Sequence, residues 1–395
     1  MSKTESPGNL DFVGAFYSLL KQQYRSGLLG WINLERAARA RPALEYPPVG
    51  ATQHEEVWRQ GEARLLRYGG PGERRAPLII VPSLINRPYI LDLLPGRSVV
   101  ERLRAGGLDV YLLDWGVAEP SDRDRGLADY TLEVLPRAAA QVDARPHVLG
   151  YCMGGTLALA AIARGRLDAR TLVALAAPVD CHDGGTLSTW ARADGMRARE
   201  LVEAFGNVPD YVLQPAFKML DPVGLAQKFV HARKKIDDDD FCRFFLAMET
   251  WLEDNVPFPG RAFEEWIEDV YRENGLVSGR WRLGGGRVEL ARVRCPLLAI
   301  VAEGDYICPP RSSEPLLERT GTTDRELVRM TGGHIGLSTG AAAHKTLWPR
   351  VARWLLERSS LARAVAPVSR PAPVSRPAPV SRAARHLRRP RGRRP

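Results

Sequence analysis

Residues 146–156 have the sequence PHVLGYCMGGT, and this segment gives the clearest indication of the fold. A short apolar run leads into G-Y-C-M-G-G, and small apolar residues follow over 157–163. This order predicts a strand, a sharp turn and a helix. In a G-x-nucleophile-x-G turn the central residue takes a strained backbone conformation above the sheet, and the glycines avoid collisions with the neighbouring strand and helix. Cys152 occupies the nucleophile's position, although an arbitrary buried cysteine is usually structural.

On both sides of this segment, short apolar runs bounded by turn-forming residues alternate with helical patterns. This alternation predicts a mostly parallel sheet with helices on both faces, an α/β fold. The predicted core strands are residues 77–81, 108–113, 148–149, 171–176, 296–301 and 326–329. The predicted helices are residues 10–41, 91–105, 128–142, 311–318 and 341–357. Residues 57–58 and 63–68 predict a β-hairpin at the edge of the sheet.

The pattern breaks after residue 180, where aromatic residues become dense and no regular alternation of strands and helices is present. So apolar a segment must pack against something, and we expect a mostly helical cap over the sheet edge; the alternative is a separate helical domain elsewhere on the surface. The expected division is 1–70, an N-terminal helical segment and edge strands; 71–180, the first part of the core; 181–293, the cap insertion; 294–361, the second part of the core; and 362–395, a disordered Arg/Pro-rich tail.

The formal net charge of +10 belongs to the tail. Residues 362–395 hold ten arginines and no Asp, Glu or Lys, so residues 1–361 carry 46 basic and 46 acidic side chains. The excess of basic over acidic residues therefore gives no information about the substrate of residues 1–361. The tail predicts either a contact with nucleic acid, polyphosphate or another acidic surface, or a nonspecific solubilising segment.

Targeting and metal signals are missing from the sequence. The N-terminus has no basic region followed by an apolar core, and no apolar run is long enough to cross a bilayer, so a cytoplasmic protein without a transmembrane segment is expected. Five cysteines without C-x-x-C or metal-ligand spacing predict free thiols and no metal site. The acidic run 237–240 beside Lys234 and Lys235 is compatible with a cation site, but a solvated charged run is the expected state.

Two further residues complete a candidate catalytic triad. Asp305 follows Gly304 at the end of a predicted strand, and His334 lies 29 residues later in the loop T-G-G-H-I-G. Nucleophile, acid and histidine thus follow the chain order of the α/β-hydrolase fold, each at the carboxyl end of a strand. The remaining histidines have no comparable setting: His54, His147, His182, His231, His344 and His386.

The roles of these residues follow from their chemistry. His334 takes the proton of Cys152, and Asp305 holds the imidazole in the required tautomer. The backbone N–H of Met153 is expected to stabilise the developing oxyanion, and a second donor is expected from the loop after the first core strand, at Ile85 or Leu84. A thiol attacks a thioester with little change in energy, so sulfur at this position favours acyl transfer from a coenzyme A thioester over plain ester hydrolysis.

Six motifs in order resemble the polyhydroxyalkanoate synthases, cysteine acyltransferases that polymerise 3-hydroxyacyl-CoA. Besides G-Y-C-M-G-G, they are V-P-S-L-I-N-R-P-Y-I-L-D at 81–92, L-D-W-G at 113–116, W-L-E-D-N-V-P-F-P-G at 251–260, G-D at 304–305 and G-G-H-I-G at 332–336. The resemblance spans about residues 10–356. Cys308 and the arginine tail are departures from the family pattern.

The resemblance implies a chain-growing reaction. Cys152 would carry the growing polyester as a thioester, His334 would activate it, and Asp305 would assist deprotonation of the 3-hydroxyl that attacks the next acyl unit. It further implies a coenzyme A thioester substrate, no cofactor, and association with polyester granules. The length resembles the short-form catalytic subunit that works with a second synthase subunit, as a homodimer or hetero-oligomer.

Two other functions remain open from the sequence. A cysteine hydrolase of the same fold, a thioesterase or lactonase, would release the acyl group to water. A non-catalytic granule-associated scaffold would keep the fold without the reaction, which the complete triad argues against.

Overall fold

The computed structural model describes residues 8–69, 75–182 and 185–365. Eight strands form one sheet in the order β1-β2-β4-β3-β5-β6-β9-β10, in which the β1–β2 and β2–β4 pairs are antiparallel and all other pairs are parallel. The strands are β1 Glu55–Gln60, β2 Ala63–Arg67, β3 Ala76–Val81, β4 Leu108–Asp114, β5 His147–Tyr151, β6 Leu172–Leu175, β9 Leu297–Ala302 and β10 Arg325–Met330, with β7 Arg282–Leu283 and β8 Gly286–Arg287 in a separate hairpin. The predicted α/β-hydrolase fold, its core strands and its edge hairpin are confirmed.

Fourteen α-helices lie within the described residues. They are α1 Gly8–Ala37, α2 Val99–Ala105, α3 Leu135–Ala139, α4 Met153–Ala163, α5 Gly185–Arg192, α6 Ala198–Phe205, α7 Asp210–Lys218, α8 Pro222–Lys234, α9 Asp239–Glu253, α10 Gly260–Glu265, α11 Pro310–Ser313, α12 Leu316–Arg319, α13 Gly336–Thr339 and α14 Trp348–Val365. Short 3₁₀ segments are Pro88–Leu91, Pro120–Asp124 and Leu290–Arg292, and π-helical turns are Asp129–Val134, Trp266–Arg272 and Ala343–Leu347.

The helix predicted over residues 91–105 is wrong in its first half. The α-helix begins only at Val99, because the Ser98 side chain accepts a hydrogen bond from the Glu101 N–H and so caps the helix there. Before it, Gly96 has a φ of +74°, which a helix does not allow. The Asp92 carboxylate instead binds the Ser98 and Thr52 hydroxyls, at 2.6 Å each, and so fixes the loop.

Prolines explain three other differences from the predicted helices. The helix predicted over 128–142 is a π-helical turn followed by α3, and the one predicted over 341–357 is a π-helical turn followed by α14. Pro136 and Pro349 stand second in those α-helices, where a missing N–H removes a regular hydrogen bond. Pro315 divides the helix predicted over 311–318 into α11 and α12. Helix α1 ends four residues before the predicted residue 41.

The sheet is buried on both faces, because alternate residues of its central strands belong to two apolar clusters. On β3 the side chain of Ile79 packs on the α4 face, whereas Leu78 and Ile80 pack on the face covered by α2 and α14. All three are fully buried. A parallel strand covered on both sides explains why these segments are continuously apolar. The carboxyl ends of these strands form the edge that carries the site.

Helices α5 to α10 lie between β6 and β9 in the chain, and α7, α8 and α9 contact α1. Arg36 of α1 is fully buried, and its guanidinium binds Asp239 at 2.7 Å and the Ile236 carbonyl at 2.8 Å. Arg39 binds Asp237 at 3.0 Å. The acidic run at 237–240 therefore pairs with arginines of the first helix, and no cluster of metal-ligating side chains is present in the described residues.

The predicted tail at 362–395 lies largely outside the described residues. Its expected boundary is too early, because α14 continues to Val365. Within the described ranges, no helix is both long and apolar enough to cross a membrane.

Candidate active site

Cys152 lies in a sharp turn between β5 and α4. Its backbone has φ 54° and ψ −128°, a region rare for residues with a side chain, so the strained conformation predicted from the sequence is confirmed. The two nearest glycines are required by space. A Cβ on Gly150 would lie 2.4 Å from the Gly155 Cα, and one on Gly154 would lie 2.2 Å from the Val81 carbonyl oxygen. The turn leaves Cys152 half-buried at the wall of a cavity.

Asp305 and His334 lie together beside Cys152. The Nδ1 atom of His334 is 2.6 Å from Oδ2 of Asp305, and both residues are buried. The other carboxylate oxygen, Oδ1, accepts hydrogen bonds from the backbone N–H groups of Ile307 and Cys308 at 2.9 and 2.8 Å. Asp305 is therefore held on both oxygens, and His334 is the member of the pair that lines the cavity.

The electrostatics of the site favour a protonated imidazole. Burial alone would lower the pKa of His334, but the charge of Cys152, together with hydrogen bonds to Asp305 and Cys152, outweighs burial and raises that pKa to about 10. A histidine of this kind can take the proton of a thiol and so generate a cysteine nucleophile.

Groups suited to an oxyanion hole lie at the same wall. Met153 is the first residue of α4, where backbone N–H groups have no partner within the helix and the helix dipole is positive. The predicted second donor, Ile85, lines the cavity on the turn after β3 and is half-buried. Ser83 also lines the cavity, and its buried hydroxyl has no hydrogen-bond partner among the described residues.

Sequence reasoning missed a residue that orients His334. The Tyr151 ring stacks on the imidazole with centroids 5.1 Å apart and planes 24° apart, and its hydroxyl donates to the His334 carbonyl at 3.3 Å. Tyr151 directly precedes Cys152 in the motif. The sequence shows that Tyr151 precedes the nucleophile, but only the packing of the folded sheet brings its ring next to His334.

Two motifs of the sequence meet in space at the loop after β3. The indole N–H of Trp251 donates to the Arg87 carbonyl at 2.9 Å, and the Asn86 amide donates to Asn255 at 2.9 Å. The Tyr89 hydroxyl donates to Asp254 at 3.0 Å. The end of α9 thus holds the loop that carries Ile85.

The cavity above Cys152 has a volume of about 310 Å³ and a largely apolar wall. Many of its apolar side chains come from the loop after β3 and from the segment between β6 and β9, among them Ile85, Leu187, Phe217, Leu225, Trp251, Leu252 and Trp266. Among the histidines of the described residues, only His334 lines it. The buried Cys308 thiol also lines it, and burial raises the pKa of that thiol well above its ordinary value.

The fold and the order of the site define the class of protein, the α/β hydrolases. A model described as "Alpha/beta hydrolase family" matches residues 93–339. Among solved structures, a soluble variant of monoglyceride lipase from Saccharomyces cerevisiae aligns with a TM-score of 0.52 and 13% identity, covering 80% of this chain and all of that one. At that identity the likeness concerns the fold alone.

Curated relatives narrow the class to one family. Two proteins named "Poly(3-hydroxyalkanoate) polymerase subunit PhaC" are similar to this chain. The one from Haloferax mediterranei is 37% identical over 330 residues, which cover 81% of this chain and 67% of the relative. The one from Allochromatium vinosum is 35% identical over 322 residues, which cover 78% and 90% respectively. The chain belongs to the poly(3-hydroxyalkanoate) polymerase family, and it is a polymerising acyltransferase on an α/β-hydrolase scaffold.

Proposed function

We propose that this chain polymerises 3-hydroxyacyl groups supplied as coenzyme A thioesters, with Cys152 as the nucleophile. The observation that carries the proposal is a cysteine at the strained turn that lines the same largely apolar cavity as the buried, hydrogen-bonded His334–Asp305 pair. The names of the relatives support the polymer as product.

In acylation, the Cys152 sulfur attacks the thioester carbonyl, and the bond between that carbonyl carbon and the coenzyme A sulfur breaks. The proton taken up by His334 passes to the departing thiolate, which leaves as free coenzyme A. We assign the stabilisation of the oxyanion to the N–H groups of Met153 and Ile85, and one such donor is typically worth about 3 kcal/mol in the transition state.

In chain growth, neutral His334 accepts the proton of the 3-hydroxyl of an incoming unit, and that oxygen attacks the thioester on Cys152. The bond to sulfur breaks, an ester forms and the thiolate is restored. The extended chain, still a coenzyme A thioester, then acylates Cys152 again and releases coenzyme A. Because both oxygens of Asp305 are already hydrogen-bonded, we assign its assistance in this deprotonation to its effect on His334.

Residues 181–293 are proposed as the cap of this site. Side chains from this segment form the apolar wall opposite Cys152. An apolar enclosure around an acylated cysteine disfavours attack by water, which is what separates a polymerase from a thioesterase.

We also propose partners and a location for the enzyme. The relatives are named as polymerase subunits, which supports a second synthase subunit as partner. The proposed assembly is a homodimer of this chain or a hetero-oligomer with that subunit. We also propose that the enzyme works in the cytoplasm, and that its insoluble product keeps it at the surface of polyester granules. The basic tail is proposed as a weak contact with acidic surfaces, nucleic acid included.

The test is the product formed from 3-hydroxybutyryl-CoA. The purified chain, alone and with a co-purified partner subunit if one is found, should release coenzyme A and build insoluble polyester. Soluble hydroxy acid as the only product would establish a thioesterase instead. Polymer accumulation in cells that is unchanged by Cys152→Ala would establish a scaffold.

A further inference from the structure

Tyr271 places a single phenol in the wall of the cavity. It belongs to the π-helical turn Trp266–Arg272, which directly follows α10. In a regular α-helix, residues five apart point about 140° away from each other. The wider turn, with hydrogen bonds five residues apart, brings Trp266 and Tyr271 together, and their ring centroids are 5.9 Å apart. Both line the cavity that holds Cys152.

The Tyr271 hydroxyl is available to a ligand in the cavity. Tyr271 is 5% exposed, and its hydroxyl has no hydrogen bond to another described residue. Because Tyr271 lines the cavity, the hydroxyl can bond a water or a ligand there. A π-helical turn that presents such a phenol to the active-site cavity is expected to serve a ligand.

The electrostatic surroundings of Tyr271 indicate which part of a ligand its hydroxyl binds. Burial above all raises the pKa of Tyr271 well above its ordinary value. The phenol is thus neutral at any working pH and offers a proton to an acceptor oxygen near Cys152. The carbonyl oxygen of the acyl group is already assigned to the backbone donors of Met153 and Ile85. The acyl oxygen left without a donor is the one on carbon 3.

We infer that the Tyr271 hydroxyl donates a hydrogen bond to the 3-oxygen of the acyl group bound at Cys152 and thereby selects 3-hydroxyacyl over unsubstituted acyl groups. The inference rests on the proposed function. The 3-oxygen is a hydroxyl in a free unit and an ester oxygen in a growing chain, and both accept a hydrogen bond. A site built to bond such an oxygen disfavours analogues that lack it, because its own donor is then left unpaired.

The test compares two enzymes and two substrates. Wild type and Tyr271→Phe are each mixed with 3-hydroxybutyryl-CoA and with butyryl-CoA, and the rate of the first coenzyme A release, with acylation of Cys152, is followed by rapid quench. Wild type should favour the 3-hydroxy substrate. Tyr271→Phe should lose about tenfold in kcat/KM for 3-hydroxybutyryl-CoA and keep its rate with butyryl-CoA.

Controls separate this role from a structural one. Tyr271→Phe removes no hydrogen bond within the described protein, so its melting temperature should match wild type. Tyr68→Phe, which changes a buried tyrosine outside the cavity, should alter neither substrate. Equal losses with both substrates, or an unchanged preference, would overturn the inference. A wild-type enzyme that is not acylated by either substrate would instead overturn the proposed function.

Discussion

Asp305 accepts three hydrogen bonds, and only one of them comes from His334. Oδ2 lies 2.6 Å from the imidazole, whereas Oδ1 receives the N–H groups of Ile307 and Cys308. The carboxylate side chain is fully buried. An acid held in this way acts through the histidine, because neither oxygen is left to take a proton from substrate.

This relationship predicts the behaviour of Asp305→Asn. The asparagine oxygen can keep the two backbone bonds, which turns its NH₂ group toward His334 and forces the wrong tautomer. Acylation of Cys152 and chain growth should then both fall, by about 10³- to 10⁴-fold. The burst of coenzyme A and the alkylation of Cys152 by iodoacetamide measure the first step separately. If only chain growth were slowed, Asp305 would act directly on the 3-hydroxyl.

The chain order of Cys152, Asp305 and His334 could be predicted because each follows an apolar run that ends in glycine or a turn. The order of strands in the sheet could not, since it depends on crossovers with no local signature. For the same reason the contact between Tyr151 and His334 was missed. The sequence predicts a helix from residue 91, but the positive φ of Gly96 and the Ser98 cap delay the start of α2 to Val99. The π-helical turn at Tyr271 leaves no pattern in the sequence.

The loop that carries Ile85 should depend on its bond to the end of α9. Tyr89→Phe removes the 3.0 Å hydrogen bond to Asp254 and should lower kcat about three- to tenfold with a smaller change in KM, because the oxyanion donor is less well held. Steady-state kinetics measure both constants. Tyr111→Phe is the matched control, since it loses a similar bond to Asp109, 3.1 Å long, on β4. Equal effects of the two substitutions would exclude a positioning role for Tyr89.

The nucleophile turn should tolerate no side chain at Gly154. Gly154→Ala places a Cβ 2.2 Å from a backbone oxygen of β3, and we expect the free energy of unfolding to fall by about 3 kcal/mol or more. Gly14→Ala, on α1 with nothing within 4 Å of the new Cβ, should instead raise it by up to about 1 kcal/mol. Chemical denaturation compares the two. A Gly154→Ala protein as stable as wild type would contradict the close approach of β3 and α4.

His147 should contribute to stability in a pH-dependent way. It is buried between the Thr171 and Ser359 hydroxyls, and burial lowers its pKa to about 3. The unfolded chain takes up this proton near pH 6.5, so the native state loses stability as pH falls from about 6.5 toward 3.

His147→Gln does not have this dependence. The stability advantage of wild type over the variant should therefore shrink by roughly 3 kcal/mol between pH 7 and pH 4. Urea unfolding at several pH values measures it. A constant difference across this range would show that the pKa of His147 is the same in the native and unfolded states.

The most direct test of the account is the mass of the peptide that contains Cys152 after the enzyme has been mixed with 3-hydroxybutyryl-CoA and quenched with acid. We expect one or more 3-hydroxybutyryl units on Cys152, formed together with free coenzyme A and followed by insoluble polyester. The Cys152→Ala variant should carry none at this position. An unmodified Cys152 peptide while wild type still releases coenzyme A would contradict it.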